Sequence, residues 1–281
     1  MQHETASRTA LATAYLRAAH QLLDDPPLLL NDPIAVPLLG VDATGRICGS
    51  QARYQSAEVK SLRTHVVLRA RFAEDRLKNA VARGVIRYVL IGAGFDTFAL
   101  RQPAWGRSLR IVEIDHPSTQ AAKRQRIAQA GLSAPENLRF IPIDFERDSL
   151  GEALARDGIG KDEPAFFSWL GVTVYLEEAA IDTTLRSMTS FAPGTEVVLT
   201  FRQPSNNPSS LAARTAQVGE PFVSLFTPDQ IAAKLQRAGF SAVEFLTPEK
   251  ARVLYFTSAR NDLEPPKRTS ILSASVDTCV N

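Results

Sequence analysis

The sequence of 281 residues predicts an α/β fold. Its expected form is five parallel strands closed by a terminal antiparallel hairpin, with helices on both faces and an N-terminal helical cap. Three observations carry this prediction. Short β-rich runs alternate with helix-length segments from residue 85 onward, the order expected of successive βαβ units. Those runs are nearly continuous apolar stretches, as in strands buried on both faces. Near the C-terminus, two more such runs lie too close together for a parallel crossover.

Residues 1–82 read as the helical cap. Thr9 to Leu23, TALATAYLRAAHQLL, places apolar residues at helical spacing and stops before Asp24-Asp25-Pro26-Pro27. A loop with several prolines and glycines follows, LNDPIAVPLLGVDATG, and a basic helix from Ala57 to Ala82 ends at Gly84. The strands are IRYVLIG, LRIVEID, LRFIPID, AFFSWLGV and EVVLTF, and the helices between them include PSTQAAKRQRIAQAG, SLGEALARDG and EEAAIDTTLRSMTSF. Residues 203–226 form an insertion long enough to act as a lid. Thr227-Pro228-Asp229-Gln230 is a capping box that starts a helix ending at Gly239. FSAVEFL and RVLYFTS, separated by TPEKA, make the expected hairpin. One domain is thus expected over 1–260, with sheet core at 85–202 and 227–259, and the polar segment 261–281 as a mobile tail.

The bulk composition narrows the partners. Thirty-two basic and 30 acidic residues leave a net charge of +2, which gives no basic surface for nucleic acid or an anionic membrane. Cys48, Cys279 and four histidines show neither disulfide nor zinc spacing, so no metal is expected. Arg8, Arg17 and His20 interrupt the apolar residues of the N-terminus, so no secretory segment is read there, and no run spans a bilayer. The expected location is the cytoplasm.

The chemistry begins at VLIGAGFDTFALR. Gly92-Ala93-Gly94 closes the first strand, where ligands of open α/β sheets bind. A dinucleotide fingerprint requires a third glycine at position 97, and this chain has Thr97, with Asp96 beside it. A carboxylate there repels a diphosphate and tolerates a ligand with positive charge. The second strand ends in Glu113 and Asp115, the latter 21 residues after Gly94, at the distance of a ribose acceptor. Asp115 is the better placed of the two, and Glu113, two residues earlier, can share the role. The third strand ends in Asp144 and Phe145, an acceptor for an adenine amine and a ring to pack on the base. Glu146 and Asp148 read as surface acids favoured by the next helix's dipole.

These three strand ends describe an adenosine pocket with no place for diphosphate. S-adenosyl-L-methionine fits it, carrying adenosine, a sulfonium and an amino-acid tail. The tail carboxylate needs a cation, which Arg69-Ala70-Arg71-Phe72 offers unless those arginines belong to a solvated helix face. The chain resembles the leucine carboxyl methyltransferase family, in its bacterial branch of S-adenosylmethionine-dependent O-methyltransferases. The resemblance runs from about Ser7 to Ser258 through SRTALATAYLRA, NDPIA, LRARFAED, LIGAGFDTFALR, VEIDHP, PIDFERD and VYLEEA. It implies a Rossmann-like class I methyltransferase sheet. It also implies that Arg69 holds the methionyl carboxylate, Gly92, Ala93 and Gly94 line the methionine portion, Asp115 binds the ribose, and Asp144 with Phe145 binds the adenine. The chain departs from the phosphatase-modifying members at Leu170, where those have glutamate. The family's N-terminal basic contact has no counterpart stronger than Arg8.

Methyl transfer is an in-line displacement in which positioning does much of the work. A carboxylate acceptor needs no base, whereas a phenol or alcohol benefits from one. His116 stands at the ribose edge, and His20 and Tyr175 can face the acceptor, so the sequence names no catalytic base. The expected acceptor is a small molecule or peptide. Two rival readings are a nicotinamide-dependent oxidoreductase, which lacks here its third glycine and second half, and a non-catalytic adenosine-binding module.

Overall fold

In a computed structural model, which describes residues 6–145, 147–205, 210–257 and 263–277, one seven-stranded sheet runs through the molecule. The chain opens with α1 (Arg8–Leu23), α2 (Ala43–Gly49), α3 (Gln51–Gln55) and α4 (Ala57–Ala82). Then come β1 (Arg87–Ile91), α5 (Phe98–Arg101), β2 (Arg110–Asp115), α6 (Pro117–Gln129), β3 (Leu138–Pro142) and α7 (Leu150–Arg156). The second half contains β4 (Ala165–Trp169), α8 (Glu178–Thr189), β5 (Glu196–Thr200), α9 (Ser210–Gln217) and α10 (Pro228–Ala238). It closes with β6 (Ala242–Phe245), α11 (Pro248–Tyr255) and β7 (Ile271–Ser275). Glu146 and Cys279 lie outside the described residues.

The sheet order is β3-β2-β1-β4-β5-β7-β6, with β7 antiparallel to both neighbours and the first five strands parallel. The two-sided burial expected from the apolar runs is present. Val89 and Ile91 of β1 face a core with Leu150, Leu154, Ile181, Leu185, Ile231 and Leu235. Tyr88 and Leu90 face the other way, onto Leu68, Phe72 and Leu77 of α4. Long α4 therefore serves as a layer of the sheet as well as part of the cap. The chain reverses between β1 and β4 in the sheet order, so their C-terminal ends splay apart into a crevice.

Local signals set most boundaries. Ser7 caps α1 by accepting from the Ala10 amide, and α4 spans the predicted Ala57–Ala82. The capping box at Thr227 and Gln230 forms, and α10 ends at Gly239 in the left-handed region. Among the described residues no helix is long and apolar enough to cross a membrane.

Two expectations near the C-terminus are corrected. RVLYFTS is not a strand: Thr247 caps a helix by accepting from Lys250 N, with Pro248 in its first turn, so TPEK starts α11 instead of turning a hairpin. In that helix Ala251 is buried while Val253 and Leu254 are exposed, a helical division that β-rich composition concealed. The second hairpin strand lies instead in the segment expected as a mobile tail. Ile271, Leu272 and Ala274 of ILSAS are buried, and β7 fills the space between β5 and β6. Its serines hid the apolar pattern, and burial of both faces came from neighbours distant in sequence.

A tail can be removed without consequence, whereas a strand hydrogen-bonded on both edges cannot. Truncation before residue 263 is expected to abolish cooperative thermal unfolding by circular dichroism. An unchanged melting curve would return the segment to the status of a tail.

Candidate functional site

At the C-terminal edge of the parallel strands lies a cavity of roughly 1470 Å³. That exceeds the usual range for a single ligand, about 300–1,000 Å³, and leaves room for two. Its floor is the turn after β1. Gly92 has φ +64°, and a Cβ there would stand 2.2 Å from Val172 Cγ2, so only glycine lets the two loops meet. A Cβ on Gly94 would come within 3.3 Å of Ala10. The glycine pair is thus needed for packing within the chain as well as for any ligand. Ala93 lines the cavity between them.

Asp115 stands at the end of β2 and lines the cavity. Its Oδ2 accepts from Gly94 N at 2.5 Å and its Oδ1 from His116 N at 2.7 Å, so the carboxylate and the turn fix each other. Burial pushes its pKa up, against these two amides. Each oxygen retains acceptor capacity for a hydroxyl. Asp144 and Phe145 line the same cavity past the end of β3. Asp144 Oδ2 also lies 3.7 Å from Arg147 Nε, a loose pair with an exposed partner.

Glu113 does not join them. It sits two residues inside β2, below the cavity, and meets Lys123 of α6 with Oε2–Nζ at 2.5 Å. Both side chains are buried, and burial raises the Glu113 carboxyl to about 7 despite Lys123. Period two put Glu113 on the face of Asp115, but only the strand end reaches the crevice.

Asp96 lines the cavity, yet its charge is already matched. Burial opposes ionisation, but Arg17 and then Lys123 and Arg101 hold the carboxyl well below its usual range. Arg17 Nη1 donates to Asp96 Oδ2 at 2.6 Å, and Arg17 Nε donates to Asp32 Oδ2 at 2.6 Å. Phe98 N donates to Asp96 Oδ1 at 2.8 Å, which makes the acid the cap of α5's first turn. Arg17, on α1 and 79 residues from Asp96, was not legible as its partner.

Arg69 projects from α4 into the cavity beside Gly171, where a Cβ would stand 2.6 Å from Nη1. Its guanidinium has no hydrogen-bond or ion-pair partner among the described residues. Burial lowers its pKa to about 10. A desolvated guanidinium with unused donors is a site for an anion, best for a carboxylate met by two parallel donors.

Farther from the turn the wall changes character. Arg202, past β5, lies over the Phe222 ring at 4.8 Å, and that ring is 5.7 Å from Tyr175. His65 of α4 lines the wall here with Nδ1 3.5 Å from Ser270 Oγ. Burial, then Arg69 and Arg202, lower the His65 pKa to about 3. His65, Tyr175, Arg69 and Arg202 all line this cavity. Nothing in the sequence singled out His65 or Arg202. His20 lies elsewhere, buried with Nδ1 2.7 Å from Asp24 Oδ2, and does not reach the cavity. His116 caps α6 by accepting from Ser118 N. Among the described residues no cluster could hold a metal ion.

Comparisons with known proteins found similar sequences and a similar fold. The leucine carboxyl methyltransferase family model matches residues 10–189. The Bacillus subtilis (strain 168) protein named "Putative S-adenosyl-L-methionine-dependent methyltransferase YktD" is 29% identical, over 94% of this chain and 95% of its own. A Parafrankia (strain EAN1pec) protein, also named a "Putative S-adenosyl-L-methionine-dependent methyltransferase", is 34% identical over 68% of this chain and 62% of its own. Among solved structures, a "putative methyltransferase" from Thermobifida fusca YX is similar with a TM-score of 0.56 at 16% identity, covering 86% of this chain and 92% of that one. The fold is therefore shared with a protein of very different sequence.

The state of His65 has a thermodynamic consequence. Its folded pKa of about 3 lies below the ordinary 6.5, so the unfolded chain binds a proton that the folded chain refuses between those values. This contribution to stability is complete above the unfolded value and is lost as pH falls through the window. His65→Gln is expected to flatten that part of the pH–stability profile measured by denaturant titration. An unaltered slope would mean that His65 protonates freely in the folded protein.

Proposed function

The chain belongs to the leucine carboxyl methyltransferase family and uses S-adenosyl-L-methionine as its methyl donor, and from that premise we propose that it methylates an oxygen, with a carboxylate as the acceptor the cavity favours. The acceptor is a small molecule or peptide. Neither nucleic acid nor membrane enters the reaction, in keeping with a net charge of +2.

The residues present suit the donor. Arg69, whose guanidinium has no partner among the described residues, holds the methionyl carboxylate. Gly92, Ala93 and Gly94 shape the floor beneath the methionyl arm, and Asp115 accepts from the ribose hydroxyls. Asp144 and Phe145 take the adenine edge and face. Asp96 and Glu113 act indirectly: the first ties the turn to Arg17, and the second holds Lys123 beneath it. Leu170 lines the cavity where phosphatase-modifying relatives have a carboxylate, which favours a different acceptor here.

When bound, S-adenosyl-L-methionine supplies a methyl group on a positively charged sulfur, open to in-line attack by an oxygen lone pair. The single observation that carries the carboxylate reading is Arg202, which lines the cavity over the Phe222 ring next to Tyr175 and so adds a cation beyond Arg69. With Arg69 on the donor's carboxylate, Arg202 is the cation that attracts an acceptor arriving ionised. Burial, reinforced by Arg69 and Arg202, keeps His65 at a pKa of about 3, too weakly basic to serve a hydroxyl acceptor well. Arg202, over the Phe222 ring at 4.8 Å, orients the acceptor anion. Orientation and exclusion of water, rather than proton transfer, are then the work of the protein.

Calorimetry should show binding of S-adenosyl-L-methionine and S-adenosylhomocysteine and none of NAD. Replacing Arg69 by Met should weaken both by about 10- to 100-fold, the worth of a charged hydrogen bond, and Asp115→Ala should abolish binding. Binding of NAD alone would restore the oxidoreductase reading. With labelled methyl donor, carboxylic acids should yield products that release methanol in mild alkali. Alkali-stable products from phenols alone would overturn the carboxylate reading.

A further inference from the structure

The described part of the insertion after β5 lines the cavity through Leu211, Thr215 and Val218, and one carboxylate ties it to α1. After α9 the chain turns at Val218-Gly219, with Glu220 N donating to Thr215 O at 2.9 Å, and the Glu220 side chain meets the start of α1. There Glu220 Oε1 accepts from Arg8 N at 2.9 Å. Its Oε2 accepts from Ser7 Oγ at 3.2 Å and from Thr9 Oγ1. An acid at this end also complements the helix dipole of α1.

The place of this contact gives it meaning. Ser7 N donates to Thr119 Oγ1 at 3.0 Å, so the segment is anchored to α6 just after Asp115. Ala10 lies on Gly94, and Ser7 through Ala10 line the cavity on its cofactor side. Val218, Gly219 and Glu220 line it from the insertion. Glu220 thus lines the same cavity as Asp115 and Tyr175. Other contacts of the insertion among the described residues include Val223 N donating to Val174 O at 2.7 Å, Ser224 Oγ to Leu176 O at 2.6 Å, and exposed Arg214 pairing with Glu58 at 2.6 Å. The first two hold the base of the strap, and Glu220 fastens it to Ser7, Arg8 and Thr9 on the cofactor half.

We propose that Glu220 is a cofactor-retention residue: by clasping Ser7, Arg8 and Thr9 it closes the insertion over the methyl donor, and the spent donor leaves when that clasp opens. The proposal rests on the reading of this cavity as a site for S-adenosyl-L-methionine. It concerns rates of entry and exit more than the affinity of the floor, because Glu220 fastens two chain segments to each other. A residue beneath the ligand would change affinity without making both exchange rates faster.

The test is the release rate of S-adenosylhomocysteine, measured by stopped-flow displacement from the full chain. Glu220→Ala should release it at least about tenfold faster, with association also faster, since three hydrogen bonds to a carboxylate are lost. A Ser7→Ala, Thr9→Ala double variant, which keeps Glu220, should move in the same direction by less. Combining it with Glu220→Ala should give less than the product of the two effects, because they share one clasp. Wild-type exchange rates in a Glu220→Ala protein that melts cooperatively would overturn the clasp and leave the cofactor reading intact. Failure of the wild type to bind S-adenosylhomocysteine would overturn both.

Discussion

Arg17 is 6% exposed and donates to two carboxylates that come from different parts of the chain. Asp32 belongs to the loop after α1 and Asp96 to the turn after β1, and Glu74 of α4 lies 4.0 Å away. Arg101 extends the group by pairing with Glu74 and approaching Asp32 at 3.4 Å, and Thr97 Oγ1 donates to Asp32 at 2.5 Å. Removing one member of such a buried group strands the others and costs about 3–5 kcal/mol. The geometry of the cavity follows from it. With Asp96 pulled to Arg17, α1 is drawn across the turn, Ala10 settles on Gly94, and the first residues of α1 become a wall of the cavity.

This arrangement distributes charge in a way that composition cannot reveal. The chain is nearly neutral, yet the cavity is lined by acids and bases at fixed places, several of them already paired with each other. Asp115 and Asp144 stand at the ends of β2 and β3, and Arg69, Arg202 and the neutral His65 line the same cavity. Burial raises the cost of each unpaired charge and strengthens each pairing made there. Arg69 is the sharpest instance, since Asp96, the acid nearest in role, is already committed to Arg17. On the proposed reading, that arrangement gives the donor a tail anchor and a ribose anchor, and gives the acceptor a second cation.

Legibility in the sequence followed the range of the interactions. The glycine turn, Asp115, Asp144 and Phe145 were readable because a strand end fixes its own last residues at the sheet edge, and all line the cavity. Arg69 was one arginine among several on a basic helix until the family resemblance selected it. Glu113 misled because period two reports a face and not a depth. Arg17, His65, Arg202 and Glu220 were silent, since each depends on a partner far away in the chain; Glu220 and Ser7 are 213 residues apart. The same reason hid β7, whose serines become strand residues only between β5 and β6. TPEK at the start of α11 was a readable helix signal, outweighed by the β-rich residues after it.

The crystal structure of the full chain with S-adenosylhomocysteine tests the central claim most directly. The account predicts the ligand's carboxylate on Arg69, its ribose hydroxyls on Asp115, its base between Asp144 and Phe145, and its sulfur facing the space between His65 and Tyr175. A ligand lying in this cavity with its carboxylate away from Arg69, or its ribose away from Asp115, would contradict it.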